Sequence, residues 1–139
     1  MNRPKQVAAA YQAAILTTSP LERVVLLYDG VLIRIASAAA AARRKDYEMQ
    51  FNEIMRAAKI VNGLNRYLDM EAGGKVARSL REMYQAVAKA LLSSVGRPTG
   101  AEALDKVGAA VRVTRNAWAE IAGLPVSTPA DSSTNRRVS

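Results

Sequence analysis

The side chains able to do chemistry in this chain are few in kind. There are twelve carboxylates, five tyrosines and twenty lysines and arginines, but no histidine and no cysteine among 139 residues. Those two absences remove imidazole bases, thiolate nucleophiles, disulfides, Cys/His zinc sites and the Glu-x-x-His pattern of di-iron bundles. The carboxylates, Glu48 and Glu53 among them, form no pair set beside a nucleophile, a base or a phosphate loop. Gly73-Gly74 matches neither a P-loop nor a dinucleotide fingerprint and reads as a break between helices. The expectation is a protein that binds rather than catalyses, with no cofactor and no metal.

The length suits one domain, and 50% hydrophobic with 23% charged residues is an ordinary globular composition. The net charge is +8, which can favour nucleic acid, anionic lipid or an acidic protein partner. The charges are scattered, however. The longest basic run is Arg43-Arg44-Lys45, and Arg3, Lys5, Arg136 and Arg137 lie in expected loose ends. A solvated, soluble surface accounts for such a pattern. Val24–Leu27 and Val31–Ile33 are interrupted by Asp29 and Arg34, so no stable membrane insertion is expected. The opening residues imitate a signal peptide, but Gln12 breaks the apolar part and no small-x-small cleavage site follows.

Four periodic segments separated by short breakers must position whatever surface does the binding. Ser19-Pro20-Leu21-Glu22 has the form of a capping box with proline at the first helical position. The helix it opens should run to about Arg44, with Val24, Tyr28, Val31, Ile35, Ala38 and Ala42 on one stripe. Asp46 can cap a second helix reaching about Leu68, whose stripe holds Tyr47, Ile54, Ala58, Val61 and Leu64. After Gly73-Gly74 a third helix turns Val76, Leu80, Tyr84, Val87 and Leu91 inward and stops at Gly96-Arg97-Pro98. Thr99-Gly100-Ala101-Glu102 is a second capping box, opening a helix that carries Leu104, Val107, Val111 and Trp118 and ends at Gly123 and Pro125. No segment shows strand alternation. The fold class is all-α: an antiparallel up-down four-helix bundle over residues 19–123, an N-terminal cap segment over 1–18 and a disordered Ser/Thr/Pro-rich tail over 124–139.

Apolar residues remain after one stripe per helix is filled. Leu26 and Ile33 lie opposite the first helix's stripe, with Ala40 continuing their line. Ala110, Val113 and Ala117 form a second line on the fourth helix, and Met49 and Ile60 are off-stripe on the second. Three readings compete. Isolated exposed apolar residues are common, the segment Val7–Leu16 can fold back as a cap, or a partner's amphipathic helices can lie there. Asp29, between Tyr28 and Gly30, either bridges outward to a basic side chain or meets a partner. Gly30 costs about 1 kcal/mol relative to alanine in mid-helix, which suggests close packing of a neighbouring helix.

These residues, taken in order, resemble the flagellar secretion chaperone family FliS over about residues 11–121. The resemblance is carried by Tyr11-Gln12 ahead of Thr17-Thr18-Ser19-Pro20, and by Leu26-Leu27-Tyr28-Asp29-Gly30. It continues through Ala57-x-x-Ile60-Val61-x-x-Leu64-x-x-x-Leu68-Asp69, Gly73-Gly74, Leu80 with Tyr84 and Leu91, and Arg115-x-x-Trp118. It implies a cytosolic chaperone without catalysis, built as a four-helix bundle whose N-terminal segment covers an apolar site. The implied partners are the disordered C-terminal region of flagellin, kept from premature polymerisation, and a component of the flagellar type III export gate. By position, Tyr11 and Ile15 match the cap and partner-interaction segment, Tyr28 the tyrosine of the first helix, and Trp118 a late tryptophan of the fourth.

The candidate partner-binding residues are therefore Tyr11, Ile15, Leu26, Tyr28, Ile33, Ile60, Val113 and Ala117, on a monomer or weak homodimer. Two rivals remain at this stage. A basic helical nucleic-acid-binding protein would need its arginines on one face. With 5% aromatic residues and no aromatic–basic alternation, base stacking is disfavoured and no nucleic acid is expected. An adaptor of another secretion pathway would use the same physics.

Overall fold

A computed structural model describes residues 20–128 as four helices. They are α1 (Pro20–Arg43), α2 (Tyr47–Arg66), α3 (Met70–Ser93) and α4 (Gly100–Ala122); no strand occurs among the described residues. The cap segment, with Tyr11, Ile15 and the expected Ser19 cap, lies outside the described residues. Each helix packs on its sequence neighbours, and α4 closes the ring against α1. Side-chain bonds fix the directions. Arg34 on α1 reaches Glu53 early in α2, and Arg43 at the end of α1 reaches Asp105 near the start of α4. Gln50, early in α2, donates to the Ser94 carbonyl just past α3 at 3.3 Å. Neighbouring helices are thus antiparallel, as the short loops require.

The core centres on α1. Val25, Tyr28, Val31, Leu32, Ile35, Ala38, Ala39 and Ala41 are buried there, against Ile54, Ala57, Val61 and Leu64 of α2, Leu91 of α3, and Leu104 and Val111 of α4. Burying a large aliphatic or aromatic side chain contributes about 1.5–3 kcal/mol before ordering entropy is counted. The alanine run gives small side chains to both neighbours and lets them approach. Gly30 does the same at one point: a Cβ there would stand 3.3 Å from Cδ1 of Ile60, which is the close packing its position suggested. By length and mean hydropathy, 1.8 over its most apolar window, α1 passes for a membrane span despite Asp29 and Arg34. In the bundle, 44% of that window is buried by protein, so the core uses much of this apolarity.

Several local expectations change. Asp46 caps α2 through Met49 N–H at 3.1 Å, as its type and place suggested. Asp69 does the same for α3, accepting from Glu71 and Ala72, so α3 begins ahead of Gly73-Gly74 rather than after it. The glycine pair makes a kink inside the helix, with Gly74 at φ 52° and ψ −126°. This is a conformation that residues with a Cβ rarely adopt. The kink resets the helical phase, so Ala77, Tyr84, Val87 and Leu91 point inward while Val76 is exposed. Tyr47, expected on the inner stripe, is also exposed; Gln50 and Glu53 take the buried places near the start of α2. Thr99 makes no side-chain capping bond, so the second capping box is not formed. Gly123 is left-handed and ends α4, with the Leu124 N–H closing on the Ala119 carbonyl at 2.8 Å.

Candidate partner-binding surface

At one end of the bundle two separated sequence motifs meet. Tyr28 of α1 and Tyr84 of α3 share a hydrogen bond of 2.6 Å between their hydroxyls, and the indole N–H of Trp118 donates to Tyr28 at 3.3 Å. The two phenol rings are 6.2 Å apart and tilted by 45°. Burial, reinforced by the bond from Tyr84, pushes the Tyr28 phenol well above the usual tyrosine range. Burial also raises Tyr84, opposed by its bond to Tyr28. Both therefore remain neutral hydrogen-bonding groups at ordinary pH.

Beside them, Arg115 of α4 holds the Asp29 carboxylate with two bonds, 2.8 Å from Nε and 3.3 Å from Nη2. The Tyr28-Asp29 pair on α1 is thus answered by Arg115-x-x-Trp118 on α4, each residue with its own partner. The spacing of three on α4 places both partners one turn apart on the side facing α1. Asp29 does form a salt bridge, as one reading of its sequence had it, but to a largely buried arginine between α1 and α4 rather than outward. Tyr28 is 1% exposed and presents no area to a partner, so its place among the contact residues is corrected to core. A hydroxyl with two bonding partners is satisfied inside, which is why a tyrosine rather than a phenylalanine stands there.

Next to this network an apolar cavity of about 400 Å³ opens between all four helices. Val24, Leu64, Leu68, Leu80, Tyr84 and Trp118 line it. The chain enters α1 at Pro20, one turn before Val24.

The expected outer rows are present. Leu26 and Ile33 on α1 are 54% and 55% exposed, Val113 on α4 is 72% exposed, and Ala117 is exposed beside it. Because α1 and α4 are neighbours, these rows belong to adjoining helices. Ile60 is not among them. It is partly buried against the core, over Gly30, and serves the α1–α2 contact. A further row escaped the sequence reading: Tyr47, Phe51 and Met55 on α2 are all exposed. Their spacing of four was the available signal, hidden by assigning Tyr47 to the core. Among the described residues no cluster of acidic side chains could hold a metal.

A family model described as flagellar protein FliS matches residues 3–125. The chain is similar to the flagellar secretion chaperone FliS of Salmonella typhimurium, 28% identical over 111 residues that cover 79% of this chain and 82% of the relative. It is similar to FliSB of Pseudomonas aeruginosa, 29% identical over 108 residues covering 77% and 84%. It is also similar to FliS of Campylobacter jejuni, 30% identical over 103 residues covering 74% and 80%. The match takes in the Tyr28-Asp29 pair, the glycine kink and the Arg115-x-x-Trp118 answer together, and the chain belongs to the FliS family of flagellar secretion chaperones.

Proposed function

We propose that the protein is a cytosolic export chaperone that binds the disordered C-terminal region of flagellin, prevents its premature polymerisation and delivers it to the flagellar type III export gate. The observation that carries this reading is the pair of exposed apolar rows, Leu26 with Ile33 and Val113 with Ala117, on adjoining helices and outside the buried core. A bundle helix ordinarily turns polar residues outward at such positions. A preformed apolar surface can shield the amphipathic segments of an unfolded end and offset part of the entropy lost when that end orders. The apolar cavity beside Val24 supports a place for the chain's own first segment, with Tyr11 and Ile15 as the residues that would enter it and leave when cargo binds. Binding must stay moderate, because the cargo has to be released at the export apparatus. The net positive charge assists encounter with an acidic cargo in a salt-dependent way.

The test is calorimetric titration of a flagellin C-terminal fragment into the intact chain and into the double variant Leu26→Asp, Ile33→Asp. Both positions are more than half exposed, so far-ultraviolet circular dichroism should show unchanged helicity while affinity falls at least about 10-fold, the loss of one or two apolar anchors. Equal affinity in the two proteins would remove the α1 face from the binding surface.

A further inference from the structure

The chain does not leave the bundle when α4 ends. Past Gly123, two consecutive side chains of α4 hold the following residues by their main chain. Arg115 donates from Nη1 to the Pro125 carbonyl at 2.7 Å. The Asn116 side-chain amide donates to the Ser127 carbonyl at 3.0 Å and accepts from the Ser127 N–H at 2.8 Å. Paired bonds to the N–H and C=O of one residue are how one strand holds another, and they read extended backbone whatever side chains it carries. Leu124 to Ser127, expected in a disordered tail, are instead held against α4.

The clamp is built rather than incidental. Arg115 is fixed from behind by its two bonds to Asp29, and its side chain is only 10% exposed. It also donates to Asn116 Oδ1 at 3.2 Å, which orients the amide toward the tail. A planar guanidinium already committed to a carboxylate cannot swing aside without leaving a buried charge unpaired. The position is informative too. On α1, Asp29 is one turn from both Leu26 and Ile33. On α4, Asn116 is one turn from Val113. The clamp thus stands between the two exposed apolar rows.

We infer that Arg115 and Asn116 form a binding site for extended main chain, occupied in cis by Pro125–Ser127. This strap must yield before a partner's unfolded segment can lie along the seam between α1 and α4. A tether of a few residues gives the strap an effective concentration of about a millimolar or more. It is thus held by three modest bonds yet remains displaceable by a longer segment that also fills the apolar rows. The inference rests on the flagellin-binding reading for the identity of the competitor, but not for the existence of the strap.

Two measurements on the full-length chain test it. Ser127 amide exchange followed by NMR should be slowed at least about 5-fold relative to a free chain, and should return to the free rate in Asn116→Ala. Ser127→Pro removes the donor N–H but leaves Arg115 and Asn116 intact. It should raise affinity for the flagellin C-terminal fragment about 2- to 12-fold, the range expected for one net hydrogen bond, whereas Ser127→Ala should leave it unchanged. Free-chain exchange at Ser127, or equal affinity of Ser127→Pro and the parent, overturns the strap while the chaperone reading stands. A protected Ser127 amide with no binding of the fragment by any variant overturns the chaperone reading and, with it, the competition.

Discussion

The two ends of the bundle hold cavities of similar size, one walled mainly by apolar side chains and one of mixed lining rich in charge. One, of about 400 Å³, is lined by Val24, Leu64, Leu68, Leu80 and Trp118. The other, of about 490 Å³, lies at the α1–α2 and α3–α4 turns and is lined by Arg43, Lys45, Tyr47, Arg97 and Glu102. At the apolar end the polar groups are turned inward and spent on one another: Tyr28 with Tyr84 and Trp118, Asp29 with Arg115. At the charged end Gln50 and Ser94 bond one another inside, but the charges that line the cavity stay exposed, and the Arg43–Asp105 pair is more than half exposed on both sides. Volume therefore does not distinguish a binding surface here. An end that neutralises its own polar groups leaves dry, apolar wall that gains by covering, whereas the other end is already satisfied by solvent.

Substitutions at the two ends should therefore differ sharply in effect. The largest loss is expected from Asp29→Ala, which strands the largely buried Arg115 without its carboxylate. We expect a destabilisation of about 3 kcal/mol in denaturant unfolding, the lower part of the range for breaking a buried pair. Binding of a flagellin fragment should be perturbed as well, because the clamp loses its anchor.

Tyr28→Phe comes next. It leaves the Tyr84 hydroxyl and the Trp118 N–H without their bond, at about 1–3 kcal/mol. Fluorescence of Trp118, the single tryptophan, reports the change directly. Tyr28 and Tyr84 both titrate above the unfolded value of tyrosine, about 10. Their contribution is therefore complete below pH 10. Above it the unfolded chain loses protons that the folded chain retains, so stability falls as pH rises. The double variant Tyr28→Phe, Tyr84→Phe should show a shallower loss of stability between about pH 10 and 11.5 than the parent.

The smallest effects belong to the charged end. Arg43→Ala should change stability by no more than about 0.5 kcal/mol, as for other solvent-exposed ion pairs. Lys45 occupies a left-handed conformation at φ 62°, so Lys45→Gly should stabilise by up to about 1 kcal/mol, read as a higher unfolding midpoint. A charged end as sensitive as the apolar one would abolish the distinction.

Much of the fold was legible along the chain because its signals are local. Asp46 announced a helix start, Gly123 with Pro125 a stop, and Leu26 with Ile33 an excess apolar row, each readable within two helical turns. The failures have a common cause. Val76 and Tyr47 were placed inward by extending a regular period through a kink and to a helix end, where the phase or the facing wall changes. Asp69 is hidden as a cap because the Gly73-Gly74 pair just after it carries the stronger breaker signal. Thr99 satisfied the pattern of a capping box without making its bond.

The sequence by itself determined four helices, two of the three breaks between them, the lack of imidazole and thiol chemistry, and the surplus of apolar positions on α1 and α4. Those properties follow from side-chain type and a 3.6-residue repeat, which need no knowledge of neighbours. Only the tertiary structure decided that Tyr28 faces inward, that Asp29 belongs to Arg115 86 residues away, that Ile60 is spent on Gly30, and that Pro125–Ser127 return to α4. Each of these depends on which helices stand side by side and at what rotation. A periodic pattern limits that choice, but the packing of side chains between helices makes it.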